Sequence, residues 1–351
     1  MKPYAMLMLI IAATAMILVS GAYAGDTFTW TGADGGNTNW NDADNWSGAA
    51  GYPGDGVGGV KDDIAKIPGS LADNKYPVVF NDDDITIKRL EIEGKAGEDD
   101  LVFLSDDASH KLRIDTHPTG ADPIAADKAA LSIGTDGVMK LQEKSELWFT
   151  SSEIETFVID IDGTLEFADG TGDDMPELVI GDGKTVTIED DGVLKGTSGG
   201  RITGEVGNPD CPDTLVLGSD AQMKGSFVID TILYNHGYVH TGDTTPGTIE
   251  LTCHPKGGTG HWHVDGGTSS EALSRLIVNT NVGGCGYVEV YNFGVLSVNR
   301  HMSVSTNVFR EAPGPRACGY LYLTRGGKIE VQKGIRFEID RFDTVDCPVI
   351  E

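Results

Sequence analysis

The feature that most restricts the fold of this chain is a recurring unit, in which a glycine precedes a short run of alternating apolar and polar residues. Gly137, Gly163 and Gly192 begin three such units at spacings of 26 and 29 residues. Later copies are Gly237-Tyr238-Val239, Gly286-Tyr287-Val288, Gly294-Val295-Leu296 and Gly327-Lys328-Ile329. Alternation is the period of a β-strand, and glycine suits corners where φ is positive. The chain is therefore predicted to be all-β.

A repeat of roughly 20 to 30 residues with one glycine corner favours the coils of a parallel β-helix, a solenoid in which each coil buries its inward side chains against its neighbours. The competing interpretation is a pair of β-sandwich domains joined near residues 207–213. On the favoured interpretation residues 25–93 form an N-terminal tryptophan-rich cap with the first coils, and residues 94–351 form the repeat region.

The start of the chain has the pattern of a cleavable secretory signal. An apolar run at residues 5–19 follows Lys2 and ends in Ala22-Tyr23-Ala24, a small-x-small cleavage site. The run is shorter than the roughly 20 residues of a membrane span, although a retained anchor is the alternative. We expect cleavage after Ala24, export to the cell surface or extracellular space, and no transmembrane span in the mature chain.

Charge excludes one class of partner. The chain has 54 acidic and 26 basic residues, a net charge of -28, and losing Lys2 with the signal makes it 54 against 25, or -29. Such a charge repels phosphate backbones, so nucleic acid is not an expected partner. Because the chain is rich in carboxylates, Ca²⁺ is the cofactor that its composition would suit. No acidic run matches a calcium-binding loop, and Asp160-Ile161-Asp162-Gly163 is only a fragment of such a loop.

The cysteines all lie in the second half of the sequence. In an exported protein they are expected to form disulfides, and their odd number leaves one for a free thiol or an intermolecular bond. They are Cys211, Cys253, Cys285, Cys318 and Cys347.

The segment that follows the signal carries the sequence's family resemblance. Its motifs are, in chain order, Trp30-Thr31-Gly32, Asn39-Trp40, Asn45-Trp46, Pro53-Gly54-Asp55 and Ile64-Ala65-Lys66-Ile67. Residues 28–93 thereby resemble the start of bacterial secreted or cell-surface proteins of the autotransporter-passenger and pectin-lyase-like type. The resemblance implies a right-handed parallel β-helix. The chain departs from the pattern by an acidic, glycine-rich insertion at residues 56–63.

The clustered tryptophans Trp30, Trp40 and Trp46 allow two interpretations. As a cap they would bury their rings over the open end of the solenoid, where strand edges are otherwise unpaired. As a binding platform they would stack on sugars. The cap is the favoured interpretation, and carbohydrate is kept as the alternative.

The densest group of metal-ligating side chains is His261-Trp262-His263-Val264-Asp265, with His236 and His240 upstream. Alternation places His261, His263 and Asp265 on one face of a strand, and two imidazoles with a carboxylate can bind zinc or copper. The competing interpretation is an ordinary polar face.

No catalytic constellation is present in the sequence. Polysaccharide-cleaving β-helix enzymes carry paired aspartates with Gly-His-Gly, or calcium carboxylates with a basic proton acceptor, and these patterns are missing. We therefore predict an exported, non-catalytic structural or adhesive protein of the cell surface or extracellular matrix. Self-association and envelope or matrix components are its expected partners. A secreted carbohydrate-binding or polysaccharide-cleaving protein is the alternative.

Overall fold

The computed structural model describes most of the chain between residues 26 and 338. The described residues are 26–33, 37–48, 51–55, 63–82, 84–97, 99–103, 109–115, 129–151, 154–168, 170, 172–205, 212–242, 246–253, 255, 260–265, 273–279, 282–283, 287–291, 294–299, 301–305, 320–323, 328–331 and 334–338. The expected signal peptide lies outside them.

The described part of the chain consists of strands and three short 3-10 turns, with no α-helix. The first strands are β1 (Thr27–Trp30), β2 (Trp46–Ser47), β3 (Ile64–Ile67), β4 (Val78–Phe80), β5 (Ile85–Ile87), β6 (Arg89–Ile92), β7 (Leu101–Phe103), β8 (Lys111–Asp115), β9 (Leu131–Ile133), β10 (Val138–Leu141), β11 (Glu146–Thr150), β12 (Thr156–Ile161), β13 (Thr164–Phe167), β14 (Glu177–Ile180), β15 (Thr185–Glu189) and β16 (Val193–Gly204). They are followed by β17 (Thr214–Leu217), β18 (Gln222–Ile229), β19 (Ile232–Asn235), β20 (Tyr238–His240), β21 (Thr248–Leu251), β22 (His261–Asp265), β23 (Arg275–Val278), β24 (Val282–Gly283), β25 (Tyr287–Tyr291), β26 (Val295–Val298), β27 (His301–Ser305), β28 (Tyr320–Leu323), β29 (Lys328–Val331) and β30 (Gly334–Glu338). The 3-10 turns are Ala43–Asn45, Asp73–Lys75 and Gly172–Asp174.

The strands form sheets of nine, eighteen and three members. In the nine-stranded sheet the order is β19-β17-β15-β12-β9-β6-β3-β1-β2. The large sheet contains two runs of ladders, β4-β7-β10-β13 and β5-β8-β11-β14, which join at the long strands β16 and β18. Among the described strands every ladder is parallel except that between β1 and β2. The all-β prediction is confirmed, and parallel pairing does not fit the antiparallel sheets of a β-sandwich.

The glycine repeat marks a column of matched positions on successive strands. Val138 pairs with Thr164, which pairs with Val193, so their preceding glycines stack. A Cβ at Gly163 would lie 2.3 Å from the Gly137 carbonyl oxygen. Gly137, Gly163 and Gly192 are not among the glycines with positive φ, so our conformational explanation for them was wrong. Glycine is needed there because the stacked backbones leave no room for a side chain.

The core is one continuous apolar cluster built by alternation along each strand. The ladder places inward residues directly above one another, as in the column Met139, Leu165, Leu194 and Met223. All four are fully buried. Outward residues alternate with them, so each strand exposes its polar face to solvent. This arrangement positions every outward side chain next to its counterparts on neighbouring strands.

The N-terminal segment covers the edges of the first strands. β2 pairs antiparallel with β1, and the Trp40 amide donates to the Val79 carbonyl of β4 at 2.7 Å. In return the Val79 amide donates to the Thr38 carbonyl at 2.8 Å. Gly54 lies against β5, where an added Cβ would be 2.1 Å from Ile85 Cγ2. Backbone groups that would otherwise remain unpaired at this end are thereby covered. No helix in the described part of the chain is long and apolar enough to span a membrane.

Candidate functional site

The outward side chains of β20, β22 and β25 form a surface that we call the histidine face. The strands pair in parallel, with Val239, Trp262 and Val288 directed into the core, where they are 1%, 5% and 6% exposed. Alternation therefore turns the intervening residues outward. The histidine face consists of Tyr238, His240, His261, His263 and Glu289.

Three imidazoles and a phenol are in ring contact on the histidine face. Tyr238 stacks on His261 with a centroid separation of 4.9 Å and an interplanar angle of 19°. His240 meets His263 edge to face at 5.8 Å, and His261 lies 6.0 Å from His263. Tyr238 is 43% exposed, the largest exposure of any big apolar side chain among the described residues. The face therefore combines an accessible aromatic ring with a compact imidazole cluster.

A carboxylate defines the electrostatics of His263. Its Nδ1 lies 3.2 Å from Glu289 Oε2, and both side chains are about one quarter exposed, at 25% and 23%. Burial lowers the pKa of His263, and proximity to His261 lowers it further, whereas Glu289 and Asp265 act in the opposite direction. The ring is therefore neutral at pH 7. In that state its Nδ1–H can donate to Glu289, which leaves a lone pair on Nε2.

The sequence-predicted metal group is only partly the group that the fold assembles. His261, His263 and Asp265 do lie on one face of β22, as alternation predicted. The carboxylate beside the His263 ring nitrogen is Glu289 rather than Asp265. His240, which the sequence analysis placed only upstream, pairs directly with His263 across the ladder. His240 and His263 are 23 residues apart, and His263 and Glu289 are 26 residues apart. Because this spacing varies, the glycine repeat alone does not identify either pairing.

A second cluster brings together three aspartates. One carboxylate oxygen from each of Asp160, Asp162 and Asp190 lies within 4.8 Å of the others. Burial, followed by the neighbouring Asp190, raises the pKa of Asp160 to about 6. Asp160 and Asp162 come from the sequence fragment noted above, and the fold adds Asp190, at φ +63° on the next turn of the sheet. Oxygen ligands of this kind suit Ca²⁺, and calcium binding stays a prediction.

The predicted sugar-stacking tryptophans are packed inside the protein. Trp30 and Trp40 are 0% exposed and Trp46 is 6% exposed. Trp46 meets Trp30 at 5.1 Å and Trp40 at 4.8 Å, both edge to face, and Trp40 also meets Phe80 at 5.4 Å. A ring without an exposed face cannot stack on a sugar, so the carbohydrate interpretation of these three residues is corrected to a packing role.

Each indole N–H of these tryptophans reaches a backbone carbonyl. Trp30 Nε1 donates to Lys75 at 3.0 Å, Trp40 Nε1 to Pro53 at 3.2 Å and Trp46 Nε1 to Trp40 at 2.7 Å. These bonds let large rings be buried without leaving a polar group unpaired. They also tie together segments of the cap that are distant in sequence.

The cysteine predictions fall mostly outside the described residues. Cys253 is described and buried, at 4% exposure. Cys211, Cys285, Cys318 and Cys347 lie outside the described ranges. Comparison of the chain with protein-family models, with curated proteins and with solved structures found no match.

Proposed function

We propose that this chain is an exported, non-catalytic structural or adhesive component of a cell surface or extracellular matrix. On this proposal it is a right-handed parallel β-helix whose N-terminal end is closed by the tryptophan cap. The observation that carries the proposal is that every ladder among the described strands except β1–β2 is parallel, with an apolar cluster shared by the described strands and a covered first edge. A stack of parallel strands of this kind would supply length rather than a reaction cleft.

The outward charges support a structural role. Lys66 lies 2.7 Å from Glu91 on the adjacent strand, and Lys195 lies 3.2 Å from Glu166 on its neighbour. Such pairs link successive turns of the stack and neutralise each other locally. They leave few basic side chains to attract a polyanionic substrate, which favours a surface component over a polysaccharide-cleaving enzyme.

Export and disulfide formation belong to the same proposal. The signal pattern at residues 1–24 motivates export. On this proposal the buried Cys253 is one of the disulfide partners. Disulfides are characteristic of oxidising compartments outside the cytoplasm. An odd number of cysteines leaves one sulfur that could cross-link neighbouring copies.

The test is to locate and size the protein in its source. Cell fractionation with immunodetection should place it in the surface or matrix fraction, and non-reducing gels should show disulfide-dependent species that collapse on reduction. Negative-stain electron microscopy should show elongated particles. Recovery of the chain only from the cytoplasm would refute the proposal. Any end-to-end assembly should leave the N-terminal end free, since its strand edges are already covered.

One observation favours a carbohydrate-binding function as the second candidate. Tyr238 presents an exposed ring braced by His261, which is the arrangement that a sugar face requires. A glycan array with the purified chain tests it. Tyr238→Ala should abolish any signal, whereas Tyr234→Ala on another sheet should not. An array without signal from neutral or acidic glycans would remove this candidate.

A further inference from the structure

The imidazoles of the histidine face have the spacing of metal ligands. The centroids of His240 and His263 are 5.8 Å apart, and those of His261 and His263 are 6.0 Å apart. Two imidazoles that share one ion through Zn–N bonds of about 2.0–2.1 Å have ring centres roughly 5–6 Å apart. The ring centres are therefore spaced as in a shared-ion arrangement, whereas among the described residues only the aspartate cluster already holds three ligand atoms within 4.8 Å of one another, so the imidazoles would have to rotate to ligate one ion. The Nε2 atoms of His240 and His263 are both buried.

The carboxylate of Glu289 provides an independent second element. Metal-bound histidines usually donate their other ring N–H to a carboxylate or carbonyl, which fixes the tautomer and the orientation of the ring. Glu289 Oε2 lies 3.2 Å from His263 Nδ1, while His263 Nε2 is on the opposite side of the ring. The face therefore already contains an imidazole with a carboxylate at one ring nitrogen and two further imidazoles in ring contact with it.

We propose that His240, His263 and His261 form a binding site for a divalent transition-metal ion, with Glu289 orienting the His263 ring. Imidazole nitrogens select zinc- or copper-like ions over the oxygen-preferring Ca²⁺ and Mg²⁺. His240 belongs to β20, His261 and His263 to β22, and Glu289 to β25. An ion held there would join β20 to β22 directly, and the Glu289–His263 contact would extend the link to β25.

The test is zinc titration of the mature, tag-free chain by isothermal calorimetry, with Ca²⁺ as the comparison ion. One Zn²⁺ should bind this site per chain. We expect His263→Ala and His240→Ala to weaken that event at least 10-fold, and Glu289→Gln to weaken it about 10-fold through the loss of ring orientation. The matched control is His236→Ala, since His236 lies in the turn after β19, and its affinity should remain within 2-fold of wild type. Circular dichroism establishes that each variant is folded, and His263→Gln serves in place of a misfolded alanine variant.

A spectroscopic readout counts the ligands directly. Cu²⁺ bound to the wild-type chain should show nitrogen hyperfine structure from at least two imidazoles in its electron paramagnetic resonance spectrum, and His263→Gln should lose part of it. A Cu²⁺ spectrum without nitrogen hyperfine structure, as expected for oxygen ligands alone, would overturn the proposal. So would the absence of stoichiometric zinc binding, or zinc affinity that is unchanged in both His240→Ala and His263→Ala. Calcium displacing zinc would point to the aspartate cluster and equally contradict the assignment.

Discussion

Replacing Trp40 with alanine gives the most demanding test of the cap. Trp40 is 0% exposed, contacts Trp46 and Phe80 edge to face, and donates its indole N–H to the Pro53 carbonyl. Burial of about 150–250 Å² at about 25 cal/mol per Å² corresponds to roughly 4–6 kcal/mol. Measured tryptophan-to-alanine changes in cores cost about 3–5 kcal/mol. We expect Trp40→Ala to lower the free energy of unfolding by about 4 kcal/mol.

The assay is urea unfolding followed by far-UV circular dichroism, together with amide hydrogen exchange of β1 and β4. Exchange should increase first in those two strands, because the cap covers their edges. The matched control is Trp148→Ala on β11. That ring faces outward, with Lys111 Nζ and Arg113 Cζ at 4.8 and 4.5 Å from its centroid, and its removal should cost about 1–2 kcal/mol. A loss below about 1.5 kcal/mol for Trp40→Ala, or equal losses for both variants, would refute the cap.

Three further predictions concern single side chains. The pKa of Asp160 is raised from 3.8 to about 6, so the charge of this carboxylate destabilises the fold, with the full effect above pH 6. Asp160→Asn should therefore stabilise the chain by roughly 1 kcal/mol at pH 7 after solvent screening and by nothing below about pH 4. Thermal melts across that pH range will show the difference. Gly163→Ala should lower the free energy of unfolding in urea by about 3 kcal/mol, because the added Cβ would lie 2.3 Å from the Gly137 carbonyl oxygen. The same change at Gly183, where φ is +66° but the space around the residue is open, should cost only about 1 kcal/mol. Equal costs would contradict the stacking explanation. Lys140→Ala removes a surface ion pair of 2.7 Å and should change stability by less than about 1 kcal/mol, so a larger loss would show that such pairs hold the stack together.

Much of the architecture was accessible from the sequence, because two simple patterns encode it. Period-two alternation predicts which residues face inward, and the recurrence of Gly137, Gly163 and Gly192 at 26 and 29 residues predicts which strands become neighbours. The reason for the glycines was misjudged, since steric crowding from the next strand is invisible along a single repeat. The role of Asp63 was also missed. It accepts hydrogen bonds from the Gly54 and Asp26 amides at the end of the insertion, and burial raises its pKa.

The candidate site was predictable along a strand but not across strands. Alternation placed His261 and His263 together, because both lie on one short segment. Glu289 and His240 join them only through the ladder register, in which the paired residues are 23 and 26 residues apart in sequence. The same reason hides Asp190 from Asp160, since Asp190 is contributed by the turn after the paired strand. Varying spacings between paired strands therefore limit what a single sequence can reveal about a surface built from several strands.

The most direct test of the proposed solenoid is a distance ladder along the nine-stranded sheet. Spin labels on outward positions Tyr234 and Ser132 are four strands apart, and labels on Tyr234 and Lys66 are six strands apart. Tyr234 is offset from both other positions by two residues along the strand, which adds about 7 Å at right angles to the stacking direction. At about 4.8 Å per strand, double electron–electron resonance should therefore give backbone separations of about 20 Å and about 30 Å, with the second distance the longer. Two distances that do not increase with strand number would contradict the stacked parallel fold on which the account depends.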